Sequence, residues 1–451
     1  MKKTGLLVTA LLVAPGLWAQ HGSGDNTSAA EFEKILRSAD RATRDLLNLP
    51  VSFSLKKYTP PPQNQGQYGT CVAWSSAYAA RTISFAIQKN ITNPDSIKKY
   101  VFSPGYLYYK IKATTDVNCS AGASILTAMQ VMTSNGALLK NEGLVDCAAS
   151  IPENMEQQKA TPYKIKDFLS LNKTYDSITK NDILKIKKSL TEKKPVVISV
   201  KIGASFEKVS RTGVWSPVAN QLVTEHHAMC VIGYDDKIGG GSFEVMNSWG
   251  PIWGNKGFFW LSYRQLMTYG SYIVELMDFE TGKTVLSGDI EFIKVDEQNN
   301  ETRMPVTRGR ISADNINQDP RGNDYSLYKL TETYSAGTMF KMKFSTNTRS
   351  YIYVFAQDNT AALSRLFPPS PAISAAINSA NATYYFPSDS THARLDATAG
   401  KENFCILYSK SEIDFEGLMN YIKQTGVNIF KGVKDKLGDR LVDLKKVQFS
   451  D

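Results

Sequence analysis

Cys71 closes the string Gln65-Gly66-Gln67-Tyr68-Gly69-Thr70-Cys71 and opens a helical pattern that runs to about Lys89, ahead of Asn93-Pro94. A thiol is a weak nucleophile until it ionises, and the unpaired N–H groups and dipole of a helix N-terminus stabilise the thiolate. Gly66 and Gly69 permit a tight turn before that helix. Gln65 can aim an amide N–H at the place where an acyl oxyanion forms, with the backbone N–H of Cys71 as second donor. A second group is His226-His227-Ala228-Met229-Cys230-Val231-Ile232-Gly233-Tyr234. A histidine opening a buried strand can take the thiol proton and pair with the thiolate. The third group is Asn247-Ser248-Trp249-Gly250, followed by Trp253-Gly254 and Gly257-Phe258. An asparagine carbonyl there can accept the N–H of the base's other ring nitrogen, and an indole beside it keeps water off that bond.

Each group alone has a plainer explanation: a thiol at a helix start, a structural histidine, a β-turn flanked by core tryptophans. Together they form an ordered Gln, Cys, His, Asn set at spacings that suit residues distant in sequence and adjacent in space. On these residues the chain resembles the papain-like cysteine peptidases over about residues 50–278. The resemblance implies that Gln65 is the oxyanion-hole glutamine, Cys71 the nucleophile, His227 the base, Asn247 the residue that orients it and Trp249 its cover. Ala228 and Gly233-Tyr234 fall in the family's register behind His227 and not behind His226. Cys119-Ser120-Ala121-Gly122 resembles the family's Cys-Asn-Gly-Gly segment, which makes Gly122 a backbone contact for an extended substrate.

The chain also departs from the pattern. Tyr68 stands where many relatives have a cysteine paired with the counterpart of Cys119, so Cys119 either pairs with Cys147 or stays free. The segment between Ala19 and about Val51 is shorter than the usual inhibitory pro-domain. The stretch around Cys71 looks most like secreted bacterial members.

The elements that must hold these groups are read from periodicity. Helices are expected near Thr70–Lys89, Ser124–Asn135 and Lys180–Glu192, with strands at Pro195–Lys201, Ala228–Tyr234, Ser242–Met246 and Gly257–Leu261. Helices first and antiparallel strands later give an α+β class, a papain-like domain of a helical lobe and a β lobe. Glu31–Leu47 carries Phe32, Ile35, Leu36, Ala39, Ala42 and Leu46 near helical spacing and is expected to be helical. After about residue 280, aromatic and β-branched runs at Phe340–Phe344, Tyr351–Phe355, Tyr384–Phe386 and Phe404–Leu407 predict a small β-sandwich or barrel, and residues 411–440 one or two helices. Tyr351–Phe355, Leu363–Pro368 and Gly400–Ser409 are similar to an uncharacterised domain that follows papain-like domains in secreted bacterial proteins. The expected organisation is a signal peptide at 1–19, an N-terminal arm or short pro-region at 20–50, the peptidase domain at 51–280 and a β-rich domain at 281–451.

Composition bounds the function. Of 451 residues, 42% are hydrophobic and 21% charged, as in a folded soluble protein. The formal net charge of +9 is spread along the chain without a basic run, which points to a solvated basic surface and away from nucleic acid. Lys2 and Lys3, an apolar Gly5–Val13 and a small residue at Ala19 read as a secretory leader cut after Ala19, which places the protein outside the cytoplasm, secreted or periplasmic. No later stretch is apolar and long enough for an integral membrane helix. The expected reaction is hydrolysis of a peptide or protein substrate through a Cys71 thioester. It needs no metal or organic cofactor, and no metal-ligand spacing is visible. The alternatives are a transpeptidase or amidase acting on cell-wall peptides, and a catalytically inactive binding protein.

Overall fold

A computed structural model describes residues 21–142, 153–217, 223, 225–279, 286–310, 326–396 and 400–441. The expected leader at 1–19 and Cys147 lie outside the described residues.

The Cys71 helix runs without a break through Cys71–Ala73, a wider π-type stretch Trp74–Arg81, and Thr82–Gln88. It stops short of Asn93, whose side chain caps a separate helix, Pro94–Lys99, by accepting from the Asp95 and Ser96 N–H groups. The expected helices at 124–135 and 180–192 are present as Ile125–Ser134 and Lys180–Thr191. The latter starts with a capping box between Thr179 and Asp182.

The antiparallel sheet has the order Asp167–Ser170, Gly270–Met277, Val196–Ile202, Glu225–Asp235, Ser242–Met246, Phe258–Ser262, and Ser52–Ser54 pairs with the far end of Glu225–Asp235. One continuous core joins the two lobes: Val72, Ala73, Ala77 and Ile83 from the helix share it with Ile198, Met229, Val231 and Val245 from the sheet. Each large side chain so buried contributes roughly 1.5–3 kcal/mol, and at the seam between the lobes Cys71 meets the strand that carries His227.

Among its described residues the C-terminal half has a two-stranded ribbon, Val306–Arg310 with Ser326–Leu330, and two larger sheets. Thr383–Phe386, Met339–Thr346, Gly288–Val295 and Glu301–Met304 form one. Leu363–Phe367, Ser350–Gln357 and Ala376–Ile377 form the other, with Asn403–Ser409 on the second side of Ser350–Gln357. Phe344 and Phe367 meet edge-on between the sheets, 4.7 Å apart, so the sheets pack as a sandwich. Ser350–Gln357 is buried along its whole length because its other face, Tyr351, Tyr353 and Phe355, is covered by helices Phe415–Thr425 and Ile429–Leu437. A strand buried on both faces loses its alternation, and the run Tyr-Ile-Tyr-Val-Phe shows that.

One expectation fails. Between Glu31 and Leu47 only Ala29–Phe32 and Arg44–Leu47 are helical. Of the apolar residues at that spacing, Phe32, Ile35, Ala39, Ala42 and Leu46 are buried and Leu36 is half-buried. The backbone between them makes its hydrogen bonds to other elements instead of to itself. Ser170 N–H donates to the Leu36 carbonyl and Ser38 N–H to the Ser170 carbonyl, while Arg37 exchanges bonds with Ala372 and Ser374 and Ala42 N–H donates to the Thr383 carbonyl. Non-local partners outcompete helix propensity here.

The two halves share side chains. Leu169 and Met277 from the edge of the first sheet belong to the cluster of Tyr353, Phe415 and Leu418. Leu169→Ala is therefore expected to cost about 2–5 kcal/mol and to loosen both halves together. All six tryptophans precede residue 280, so tryptophan fluorescence follows the first half, while alkylation of buried Cys405 follows the second. Unfolding midpoints that fall in both signals match this packing; a shift in one signal alone contradicts it.

Candidate active site

Cys71 is fully buried at the first position of its helix, behind Thr70, which gives no side-chain cap. Its Sγ accepts from the Ala228 N–H at 3.5 Å. Burial pushes the thiol up to about 12, and the nearby Asp25 charge adds to the rise, against backbone hydrogen bonds from Ala228, Gly24 and Val72 to the sulfur.

His227 lies on Glu225–Asp235, opposite Val200. Its Nε2 is 2.7 Å from Asn247 Oδ1, which also accepts the Ser248 N–H at 2.8 Å. Since an amide oxygen only accepts, Nε2 carries the proton and Nδ1 keeps its lone pair. Nδ1 is buried and has no hydrogen-bond partner among the described residues. Trp249 tilts over the imidazole at 4.9 Å and Phe206 meets it edge-on at 5.9 Å. Enclosed in this way, His227 is lowered to about 4 by burial, against the Asn247 bond, which raises it. His226 faces the other side of the strand, where Ser271 Oγ and Tyr175 Oη are 3.2 and 3.4 Å from its Nδ1.

Gln65 is tied to the Asn247 loop. Its N–H donates to the Ser248 carbonyl at 2.8 Å and its Oε1 accepts from Ser248 Oγ at 2.5 Å. That fixes the amide with Nε2 outward, donating to the Tyr68 carbonyl at 2.8 Å and to the Gly22 carbonyl at 2.9 Å. Trp249 Nε1 donates to the same Gly22 oxygen at 3.2 Å. Gln65, Cys71, His227, Asn247 and Trp249 are thus brought to one cleft.

The cleft is filled by the chain's own arm. His21 stacks on Trp249 at 4.6 Å and its Nδ1 is 2.8 Å from Glu207. Gly22 N–H donates to the Gly66 carbonyl, and a Cβ on Gly22 or Gly24 would overlap the Tyr68 or Gly69 carbonyl. Asp25 N–H donates to the His226 carbonyl, and the Asp25 carboxyl takes hydrogen bonds from Ser199 and Thr27. Burial raises that carboxyl above its usual range.

The arm does not pair with Gly122, the residue expected to meet an extended substrate. At φ +82° the Gly122 N–H turns inward to Tyr108 Oη at 3.1 Å. Ala123 pairs with the arm instead, donating to the Gly24 carbonyl at 2.8 Å and accepting from Asn26 N–H at 3.2 Å, in a parallel bridge. Gly122 supplies room, since a Cβ there would overlap Gly24. Neither Ala123 nor the pocket residue Ser199 carries a signal in the sequence; both depend on where the arm crosses. Cys119, at φ +58°, is disulfide-bonded, its partner lying outside the described residues.

Residues 49–273 match the model of the papain family cysteine protease, and residues 333–412 match a domain of unknown function, DUF4384. Mouse (Mus musculus) cathepsin K is 27% identical over 209 residues, 46% of this chain and 57% of that protein. An uncharacterized peptidase C1-like protein of Acanthamoeba polyphaga mimivirus is 26% identical over 223 residues, 47% of this chain and 69% of that protein. The crystal structure of xylellain, a cysteine protease from Xylella fastidiosa, aligns with 58% of this chain and 97% of its own at 22% identity and a TM-score of 0.46. The chain thus spans just over half the length of the cathepsin K it matches. Residues 49–273 form a papain family cysteine protease domain.

Proposed function

We propose that this protein hydrolyses peptide bonds, with Cys71 as nucleophile, His227 as base and then acid, Asn247 as the group that orients His227, and Gln65 with the Cys71 N–H as oxyanion donors. The observation that carries the reading is the Nε2–H···Oδ1 bond to Asn247, which leaves the other ring nitrogen as the free base. In the reaction the Cys71 proton passes to His227 Nδ1 and the thiolate attacks the carbonyl carbon. The carbonyl oxygen becomes an anion held by two N–H donors. His227 gives its proton to the leaving amine, and the C–N bond breaks to leave a thioester. Water then attacks the thioester, losing a proton to His227; the acid is released and the proton returns to Cys71.

The reading extends to the rest of the chain. Residues 51–280 are the catalytic unit, 281–451 an added β-rich domain, and 1–19 a leader that carries the protein out of the cytoplasm. Substrates are extended peptides, whose backbone the cleft pairs with at Ala123 as it does with the arm.

The test uses a mixed peptide library and a chain with the cleft cleared by Gly24→Ala, since a Cβ at residue 24 would overlap the Gly69 carbonyl. In that background Cys71→Ala is expected to lower turnover to background, a loss of several orders of magnitude. A folded Cys71→Ala chain that keeps its turnover would overturn the assignment.

His227→Ala is expected to be inactive and His226→Ala active, because neighbours on a strand face opposite sides. The opposite pattern would put the base on the other face.

Asn247→Ala is expected to lower kcat roughly ten- to hundredfold while leaving KM nearly unchanged, since it orients the base without touching the peptide. Unchanged kcat would mean that another group holds His227.

A further inference from the structure

We propose that the β-rich C-terminal half is the clamp of this peptidase: it holds the N-terminal arm so that His21–Ser28 stays in the cleft as an inhibitory strap. The proposal rests on the reading of Cys71 as nucleophile.

The strap uses the groups that catalysis needs. The Gly22 carbonyl takes the Gln65 amide and the Trp249 indole N–H. The Gly24 backbone lies beside the Cys71 sulfur. The bound strap is not positioned for attack. The carbonyl at Gln65 belongs to residue 22, while the strap backbone beside the sulfur is that of residue 24, so oxyanion donor and nucleophile meet different peptide units. A peptide bond is cut only when its own carbonyl lies at both. The filled cleft also excludes water from Cys71 and His227 and so favours the neutral thiol and imidazole over the charged pair.

The strap is short, and its fit is tight at the glycines. What keeps it in place lies beyond it. After Ser28 caps a turn with Glu31, the arm crosses the edge strand Asp167–Ser170 and enters the C-terminal half. Arg37 N–H donates to the Ala372 carbonyl at 3.0 Å, and Ser374 N–H donates to the Arg37 carbonyl at 2.9 Å. Ala42 N–H donates to the Thr383 carbonyl at 2.9 Å, Thr43 N–H to Asp389 at 2.6 Å, and Thr383 N–H to Asp45 at 2.7 Å.

At the centre, Arg41 makes a two-pronged pair with Glu192 at 2.6 and 3.0 Å and also reaches Ser379. Lys194 joins Glu192 at 2.9 Å and the Asn378 carbonyl, and Asn378 reaches Glu275. Arg41, Glu192, Lys194 and Glu275 are largely out of water. Buried charges of this kind hold one arrangement and penalise others, because a lost partner leaves its mate uncompensated. The network joins three parts of the chain: the arm, the peptidase domain and the C-terminal sandwich. A strap fixed at its far end rebinds as an intramolecular segment, at a high effective concentration.

The test measures the rate at which iodoacetamide labels Cys71, read by mass spectrometry of the Cys71 peptide, in the full chain and four variants. Gly24→Ala removes the strap's fit. Arg41→Gln and, separately, Asp389→Ala break the clamp; the second removes one bond at the arm's far end and leaves the buried network intact, so it remains informative should Arg41→Gln fold poorly. The fourth combines Gly24→Ala with Asp389→Ala. Labelling is expected to be at least about tenfold faster than wild type in Gly24→Ala and several-fold faster in the clamp variants, each tenfold corresponding to about 1.4 kcal/mol of docking. The combined variant is expected to match Gly24→Ala alone, because the clamp acts through the strap. Wild-type labelling in folded Asp389→Ala and Arg41→Gln chains would overturn the clamp, and wild-type labelling in Gly24→Ala would overturn the strap. Labelling reports access to the thiol whatever the chemistry. Fast labelling without peptide turnover would therefore refute the peptidase reading and leave the clamp standing.

Discussion

The hydrogen bond from His227 Nε2 to Asn247 Oδ1 sets the terms for the whole cleft. It is 2.7 Å long and buried under Trp249. It decides which ring nitrogen is free, and the strand Glu225–Asp235 decides where that nitrogen points. The turn that carries Asn247 also carries Ser248, whose hydroxyl and carbonyl fix Gln65. One loop therefore orients both His227 and Gln65, the proposed base and oxyanion donor, and the shared core joins the Cys71 helix to the sheet that carries His227. A shift of the sheet against the helix would separate nucleophile from base, which explains why the seam between the lobes is packed with fully buried aliphatic residues.

Burial acts on the same groups from the other side. With the arm in place, the thiol and the imidazole are both dry, and a dry site favours neutral forms. The filled cleft therefore holds a neutral thiol and a neutral imidazole. Hydration and an arriving peptide carbonyl would favour the thiolate and imidazolium that the reaction uses. The C-terminal sandwich enters through geometry alone: its strand Ser350–Gln357 is covered on both faces, and residues between 372 and 389 hold the arm against that frame.

The sequence made Gln65, Cys71, His227 and Asn247 legible because each must be one residue type at one place for its chemistry, and the surrounding glycines and tryptophans support that place. Strand alternation lets only one of His226 and His227 face Cys71, and the family register of Ala228 and Gly233-Tyr234 picked His227. The helices at 125–134 and 180–191 were legible from periodicity. The arm was not. Its apolar spacing identified the right buried residues, Phe32, Ile35, Ala39, Ala42 and Leu46, but the same spacing fits a helix and a segment wedged between two domains. Only non-local partners such as Ser170, Ala372 and Thr383 decide between them, and no local pattern encodes these. Gly122 and Ala123 differ for a similar reason: a positive φ turns one N–H inward and leaves the contact to its neighbour.

In the proposed device the arm keeps the Cys71 thiol and the His227 imidazole neutral by burying them. The direct measurement is the pH profile of Cys71 alkylation in the wild-type chain and in Gly24→Ala. The wild-type profile is predicted to rise only in strong alkali, in line with a thiol pushed up to about 12 by burial. The Gly24→Ala profile is predicted to show a thiolate already reactive near neutral pH, paired with the imidazolium of His227. Coincident profiles, or a wild-type thiol reactive at neutral pH, would contradict the claim.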